Sequence, residues 1–480
     1  MRTTQRTRLA ALAATTVVSI CSTEALADQA CCVDTLYCII TQPEICDALG
    51  GTLRPDPNGT CEDWPASPCS NGAAGLHAPP HLQGGFGASM DLEFANGHVN
   101  HLVVGSPTTN ETRGGATVMQ WQIEEAFGGS WVEVSHFDLD TSSFAPGAYA
   151  GAAVAADGIW IAVGIPGRQE VRLFSNETGT WVERQTLTPI ADGDDDGAFG
   201  LSLALDGSTL FIGAADSMPS GGRVSVFTTD GGTEQNPWVF EQHLTANVEG
   251  TQGFGYAIAL DNQLGRAIIG APFGGGGTAY SVQYADSEWE ITRDLSLDLP
   301  AQYGELGAAV ELVGDIAYIG NPGMNITGPT LGVVWAYQYS EDDTYPDSDF
   351  YMNTFIAAPE GSTGTQFGTS LNLQPGILLV GSPDEGGTGA VHIYTHPYNQ
   401  PELIHFTWNA QINGSTVGEG FGASLVTGVL GADFDGATGG LALTGAPGAP
   451  SEPGGVSGAG RIDALNISDL NTGSSSFKPP

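Results

Sequence analysis

Cationic side chains are almost missing from this chain. Its 480 residues hold 13 Lys and Arg against 54 Asp and Glu, Lys478 is the single lysine, and the formal net charge is −41. Binding to nucleic acid or to anionic lipid requires cations that neutralise phosphate, so such a surface argues against both as partners. Like charge of this size instead keeps a protein soluble in a salty external medium, where it is screened, and the chain is expected to be a monomer. Long apolar runs are also missing beyond the first residues. No later stretch approaches the roughly 18 to 20 apolar residues that span a bilayer. Helical periodicity is hard to find after residue 85, because Gly interrupts nearly every window of ten. Cysteine is absent after Cys69, and histidine is absent from 28 to 76. No GxSxG elbow, HExxH pair or phosphate-binding loop occurs.

The chain begins with Arg2, Arg6 and Arg8, an apolar run over 9–20, and the small residues of Ala25-Leu26-Ala27. This reads as a secretory signal peptide, 1–27, with cleavage expected before Asp28 and a secreted or cell-surface destination. Removing Cys21 with it leaves six cysteines: Cys31, Cys32, Cys38, Cys46, Cys61 and Cys69. An even set packed into one short exported segment reads as a disulfide module, 28–70, whose pairing the sequence leaves open. Zinc is the competing reading, and the lack of a CxxC pair and of nearby histidine disfavours it.

Gly at 69 and Pro at 28 stand beside 41% hydrophobic residues, a mixture that suits many short strands joined by tight turns. Seven segments recur. They start at Phe86, Tyr149, Phe199, Phe254, Tyr303, Phe367 and Phe421, with spacings of 63, 50, 55, 49, 64 and 54 residues. Each start leads into an apolar strand. A second strand follows and ends in a Gly-containing turn (VVGSP, IAVGIP, FIGAAD, IIGAP, YIGNP, LLVGSP, ALTGAP), and then a third begins. Four repeats add an outer strand opened by Trp131, Trp181, Trp238 or Trp289. Asn96-Gly97, Asp157-Gly158 and Asp206-Gly207 fall where the first strand must reverse into the second, and such pairs favour two-residue hairpins. About four strands per repeat, apolar inside and charged outside, predict an all-β fold: a seven-bladed β-propeller over 71–470, with a tail at 471–480. The glycine of the second turn is expected where a Cβ would collide with a neighbour, and the leading aromatic is expected to wedge between blades. The seventh repeat lacks a fourth strand, so a segment around 76–82 is expected to supply it and close the ring.

These segments resemble FG-GAP repeats, the family that builds the seven-bladed head of integrin α subunits and many exported bacterial propellers. The resemblance covers roughly 84–470, and Tyr149 and Tyr303 depart from its Phe-Gly start. The Cys-rich segment resembles short modules at the front of other exported bacterial repeat proteins. Integrin-type repeats bind calcium in a DxDxDG loop between their first and second strands, so the resemblance implies calcium at Asp433 and Asp435, in the longer loop of the seventh repeat. A literal DxDxDG string, Asp192, Asp194 and Asp196, lies between repeats; the residue twelve on, Leu203, is not the bidentate acid of an EF-hand. These loops are the candidate metal sites, and calcium is the one cofactor expected. His98 and His101 sit three apart, a spacing that puts them on opposite faces of a strand. Six sequons occur, at Asn58, Asn110, Asn176, Asn325, Asn413 and Asn466. The expected function is non-catalytic recognition of an extracellular protein or glycan. A secreted lyase or glycosidase, with an acid pair that sequence cannot pick out, is the alternative, and an envelope or matrix component is a third.

Overall fold

The computed structural model describes 29–33, 37–41 and 52–53, and most of 76–466. Within that last stretch it leaves aside 96–97, 125–127, 138–145, 178, 191–196, 217–220, 231–235, 247–252, 274, 297–303, 325–331, 341–348, 360–361, 363–365, 375–376, 396–405, 430–439 and 450–457. The described residues form seven four-stranded antiparallel sheets and one three-stranded sheet.

Blade 1 comprises Ser89–Ala95, His98–Gly105, Ala116–Glu124 and Gly128–Phe137. Blade 2 comprises Val154–Asp157, Trp160–Ile165, Glu170–Ser175 and Val182–Leu187. Blade 3 comprises Ser202–Asp206, Thr209–Ala214, Arg223–Thr228 and Val239–Leu244. Blade 4 comprises Ile258–Asp261, Arg266–Ala271, Thr278–Ala285 and Glu288–Asp294. Blade 5 comprises Val310–Val313, Ile316–Asn321, Val333–Ser340 and Asp349–Ala357. Blade 6 comprises Ser370–Gln374, Ile377–Ser382, Ala390–Thr395 and Thr407–Asn413. Blade 7 has Ser424–Val429, Gly440–Ala446 and Arg461–Asn466, and takes its fourth strand, Leu76–His77, from the other end of the repeat region. His77 lies opposite Arg461 and Leu76 opposite Ile462, so the closure expected from 76–82 is present and the ring has no open seam.

Burial follows the expected gradient. The second strands of blades 2 and 3 are buried along their whole length, whereas the outer strand of blade 2 is mostly exposed. A β-bulge separates third and fourth strands in each of blades 1 to 6 and twists the outer strand away from its neighbour. Seven apolar clusters make up the core, and each draws its residues from two adjacent blades. No blade therefore buries its own faces alone. Phe199, for instance, packs among Trp160, Ala162 and Leu173 of blade 2 and Leu210 and Ile212 of blade 3.

The wedge position is occupied by Phe86, Phe199, Phe254, Phe367 and Phe421, all buried, as the aromatic starts predict. Blades 2 and 5 differ from that expectation. The residues that bridge to the preceding blade's third-strand turn are Ala150, opposite Gly114, and Leu306, opposite Gly277. Tyr149 is exposed, and Tyr303 lies outside the described residues. The repeat is thus anchored by the glycine after the wedge: Gly87, Gly151, Gly200, Gly255, Gly307, Gly368 and Gly422 all have φ between 78° and 93°. That conformation belongs to glycine, whatever residue precedes it.

In the N-terminal segment, Gln29–Val33 pairs with Tyr37–Thr41 and with Thr52–Leu53, and the register sets Cys32 opposite Cys38. Cys31 is on the same strand as Cys32; Cys46, Cys61 and Cys69 lie outside the described residues. Among the described residues, no helix is long and apolar enough to cross a membrane.

A Cβ built on Gly270 would overlap the carbonyl oxygen of Gly307 in the next blade, whereas one on Gly158, at φ 55°, meets nothing within 4 Å. Gly270→Ala is expected to cost several kcal/mol or to prevent folding, because backbone on both sides must shift. Gly158→Ala should cost only about 1 kcal/mol, the penalty for a left-handed non-glycine residue. Thermal melts of the two variants check this, and equal losses would refute the backbone-contact account.

Candidate functional site

The seven first strands touch one another in a closed ring, each against the next and the last against the first, and so line a central channel. Each is the inner edge of its sheet, and unpaired edge N–H groups need acceptors. Side chains of the preceding blade reach across to the first strand or to the turn that follows it. Asp91 Oδ2 accepts from Ala156 N at 2.8 Å, Asp157 Oδ2 from Gly207 N at 2.6 Å, and Asp206 Oδ2 from Asn262 N at 2.7 Å. Glu311 Oε1 accepts from Leu373 N at 3.5 Å, and the Thr427 hydroxyl donates to Asn372 Oδ1. Five blade junctions are thereby clamped at the channel wall, four of them by acids.

This placement changes the acids. Burial pushes Asp91 up to about 7, partly offset by the N–H groups of Ala156 and Leu92, and the Asp157 charge adds to the rise. Burial pushes Glu311 up to about 8 against the Leu373 N–H, with Asp91 adding its repulsion. Asp206 is also raised, by burial first, with Asp157 and Asp261 contributing and the Asn262 N–H opposing. Asp91 and Glu311 keep partial contact with the channel lumen, so their energetic weight is reduced by water. Among the described residues, no three His, Cys, Asp or Glu side chains converge as a metal site would require. The expected metal residues Asp192, Asp194 and Asp196, and Asp433 and Asp435, all lie outside the described residues.

Of the two early histidines, His101 turns into the blade. Its Nδ1 is 2.8 Å from Glu93 Oε2, directly opposite it in the hairpin, both side chains are buried, and Trp181 meets its ring edge-on at 5.6 Å. The side chain of His98 lies outside the described residues. A second such pair, missed from sequence, joins His392 Nε2 to Glu385 Oε2 at 2.6 Å, with Gln411 donating to the other oxygen at 3.2 Å. Burial raises Glu385, but the His392 hydrogen bond and charge outweigh it and leave the acid below its usual range. Both pairs are enclosed by blade residues and touch no open surface.

The end of the blades that carries the second-to-third-strand turns and the inter-blade connections is different. There Tyr256 and Phe273 stand exposed, at 37% and 54%, with rings edge-to-face 4.9 Å apart. Tyr256 is raised from its ordinary value by partial burial first and by the nearby Glu305 charge second. On blade 2 the same face carries Tyr149, 42% exposed, beside a shallow depression lined by Pro146, Gly147, Ala148, Gly167 and Arg168. Arg168 there forms a two-pronged bond with Glu170, at 3.1 and 2.9 Å. Sequence reasoning named Asp157 and Asp206 only as hairpin-turn residues and Tyr149 only as a repeat start, and it singled out neither Asp91 and Glu311 nor Tyr256 and Phe273. For the rings the signal was present: Tyr256 is the one aromatic found just after the wedge glycine in seven repeats.

No family model matches the chain, and no curated protein matches it. Solved structures similar to it include a protein from Lactobacillus plantarum, at 12% identity and a TM-score of 0.46 over 68% of this chain and 84% of that one. Sqt1 from Chaetomium thermophilum bound to the N-terminus of ribosomal protein L10 aligns at 13% and 0.46 over 78% and 84%. Kuenenia stuttgartiensis hydrazine synthase aligns at 9% and 0.46 over 76% and 93%. At these values the likenesses carry no argument about what this chain does.

Asp91 and Glu311 hold protons in the folded chain over a range where the unfolded chain has released them. The native state therefore binds more protons, and stability falls as pH rises from about 4 toward 8. Asp91→Asn and Glu311→Gln keep an acceptor but lose the charge. Relative to the parent chain, each should stabilise by on the order of 1–3 kcal/mol at pH 8.5 and much less at pH 5, read by denaturant unfolding. An identical pH slope in parent and variants would refute the assignment.

Proposed function

We propose that this chain is an exported recognition propeller of the FG-GAP type, binding an extracellular protein or glycan without acting on it chemically. One observation carries this reading: the large rings left in solvent on the turn face, Tyr149, Tyr256 and Phe273, stand on the connections of a closed ring of blades. Exposed rings on turns held by a stiff scaffold suit recognition, because little entropy is lost when they are covered. The acids and histidines described above are occupied in fastening strands and blades. The signal-peptide pattern and the cysteine-rich segment support an oxidising, extracellular setting, and the net charge of −41 supports a soluble monomer.

Mass spectrometry of the mature protein in periplasm or medium should find an N-terminus at Asp28. Binding of the parent chain to an extracellular-matrix and cell-surface preparation should fall by about tenfold or more in the folded triple variant Tyr149→Ala, Tyr256→Ala, Phe273→Ala. Equal binding by the two, or release of new reducing ends from a polysaccharide panel, would overturn the reading.

Calcium is proposed for the acid strings at Asp192, Asp194 and Asp196 and at Asp433 and Asp435. A ligand at 100 times its dissociation constant stabilises by about 2.7 kcal/mol. Calcium in excess over chelator should therefore raise the melting temperature by a few degrees. Superimposable melts would mean that the carboxylates are solvated surface.

A further inference from the structure

A sevenfold repeat gives its departures meaning. A residue that blade geometry needs recurs at one position in every blade, so a large residue that occurs once is placed for another reason. The residue after the wedge glycine is Ala88, Ala152, Leu201, Ala308, Thr369 or Ala423 in six blades, and Tyr256 in blade 4. The third residue after the second-strand glycine is Thr108, Gly167, Asp216, Gly323, Asp384 or Gly448 in six blades, and Phe273 in blade 4. The two aromatic departures fall in the same blade, and the fold brings their rings into contact at 4.9 Å. The core does not need them, since both remain exposed.

The surroundings are fitted to the pair. Gly253 lies directly beneath Phe273, where a Cβ would come within 2.6 Å of the ring. Gly275, in the turn beyond it, faces open space, so the described part of that turn does not roof the rings. Exposed Glu305, at the start of blade 5, is held against the turn that carries Phe273: the N–H of the next residue, Leu306, donates to Gly276 O at 3.3 Å, and a Cβ on Gly277 would come within 2.9 Å of the Glu305 carbonyl carbon.

We infer that Tyr256, Phe273 and Glu305 form a binding site for an uncharged saccharide; this rests on the recognition reading above. A pyranose offers an apolar C–H face to an aromatic ring and a rim of hydroxyl donors. The oxygens of the Glu305 carboxylate are hydrogen-bond acceptors, which match those hydroxyls. Glu305 and the net charge of −41 repel uronate, sulfated and other anionic sugars. A peptide added as a strand needs an unpaired sheet edge, and Phe273 lies on a turn between two strands that pair with each other inside blade 4.

The test uses the full mature chain on an array of neutral oligosaccharides, uronate-containing oligosaccharides and apolar peptides. It is run beside Phe273→Ala and Glu305→Gln, each checked for an unchanged melting temperature. Binding of at least one neutral oligosaccharide is expected, weakened about tenfold or more by Phe273→Ala and several-fold by Glu305→Gln, with the uronate spots blank. Neutral-sugar binding that Phe273→Ala leaves intact would overturn the site, and uronate binding of equal strength would overturn the ligand class. Peptide binding that depends on Phe273, without sugar binding, would overturn the saccharide assignment while leaving the recognition reading standing. Silence across the array together with equal surface binding by parent and triple variant would remove both.

Discussion

Everything in this ring depends on one backbone contact repeated seven times. In each blade the glycine after the wedge donates its N–H to the carbonyl of that blade's second-strand glycine, as Gly255 does to Gly270 and Gly307 to Gly320. The carbonyl of the same wedge glycine lies against the Cα of the second-strand glycine one blade back: Gly151 on Gly105, Gly200 on Gly164, and so on round to Gly87 on Gly445. Fourteen glycines thus form a continuous girdle in which each blade is positioned by backbone. Four first-strand serines strengthen it, since Ser89, Ser202, Ser370 and Ser424 each donate to that same carbonyl in the next blade. A side-chain carbon at the second-strand positions would push the blades apart, and a ring closed by the short strand Leu76–His77 has little slack to absorb the shift.

Because backbone sets the spacing, the wedge side chain is free to vary so long as the volume is made up elsewhere. At the junction of blades 1 and 2 the wedge is only Ala150. The missing ring is compensated by Phe137 and Phe174, 4.0 Å apart, with Trp181 packed against them. At the junction of blades 4 and 5, Leu306 is accompanied by Leu295, Met324, Trp335 and Phe350. The outer strands add their own clamp. Gln185 exchanges two hydrogen bonds with the Trp238 backbone, at 2.8 and 2.9 Å, and Gln242 does the same with Trp289, at 2.8 Å each. An amide side chain there stands in for a strand neighbour that the blade geometry does not provide.

This explains which features could be read in advance. The blade number, the four-strand pattern, the colliding glycines and the closing segment were legible, because each recurs or is conspicuously missing at a fixed phase. The wedge in blades 2 and 5 was misplaced, by one residue at Tyr149 and by three at Tyr303, because the aromatic was followed where the glycine is the constraint. The channel clamps were hidden for a different reason. Asp91 and Ala156 are 65 residues apart and Asp157 and Gly207 are 50, and the acid stands four residues after the wedge glycine at Asp91 and Glu311 but six after it at Asp157 and Asp206, so no single spacing betrays the set. The buried pair His101–Glu93 was closer to legible, since the two residues are opposed across one hairpin, yet an interposed bulge obscures their register. The proposed saccharide site escaped because an aromatic beside a wedge position looks like core until its exposure is known.

The division of labour follows from the same contact. The girdle and the channel clamps fix the blades from inside, using glycine and buried acids that tolerate little change. The turns at the second-to-third-strand end lie outside the girdle and meet the next blade through backbone, as Gly276 O does the Leu306 N–H, so their exposed side chains carry little of that load. Blade 4 can therefore carry Tyr256, Phe273 and a run of glycines where the other blades carry Ala, Leu, Thr, Asp or Gly, while its sheet keeps the common pattern. A fold whose geometry resides in backbone contacts leaves such positions open to a ligand, and the proposed site lies in the blade where both of these positions carry an aromatic ring.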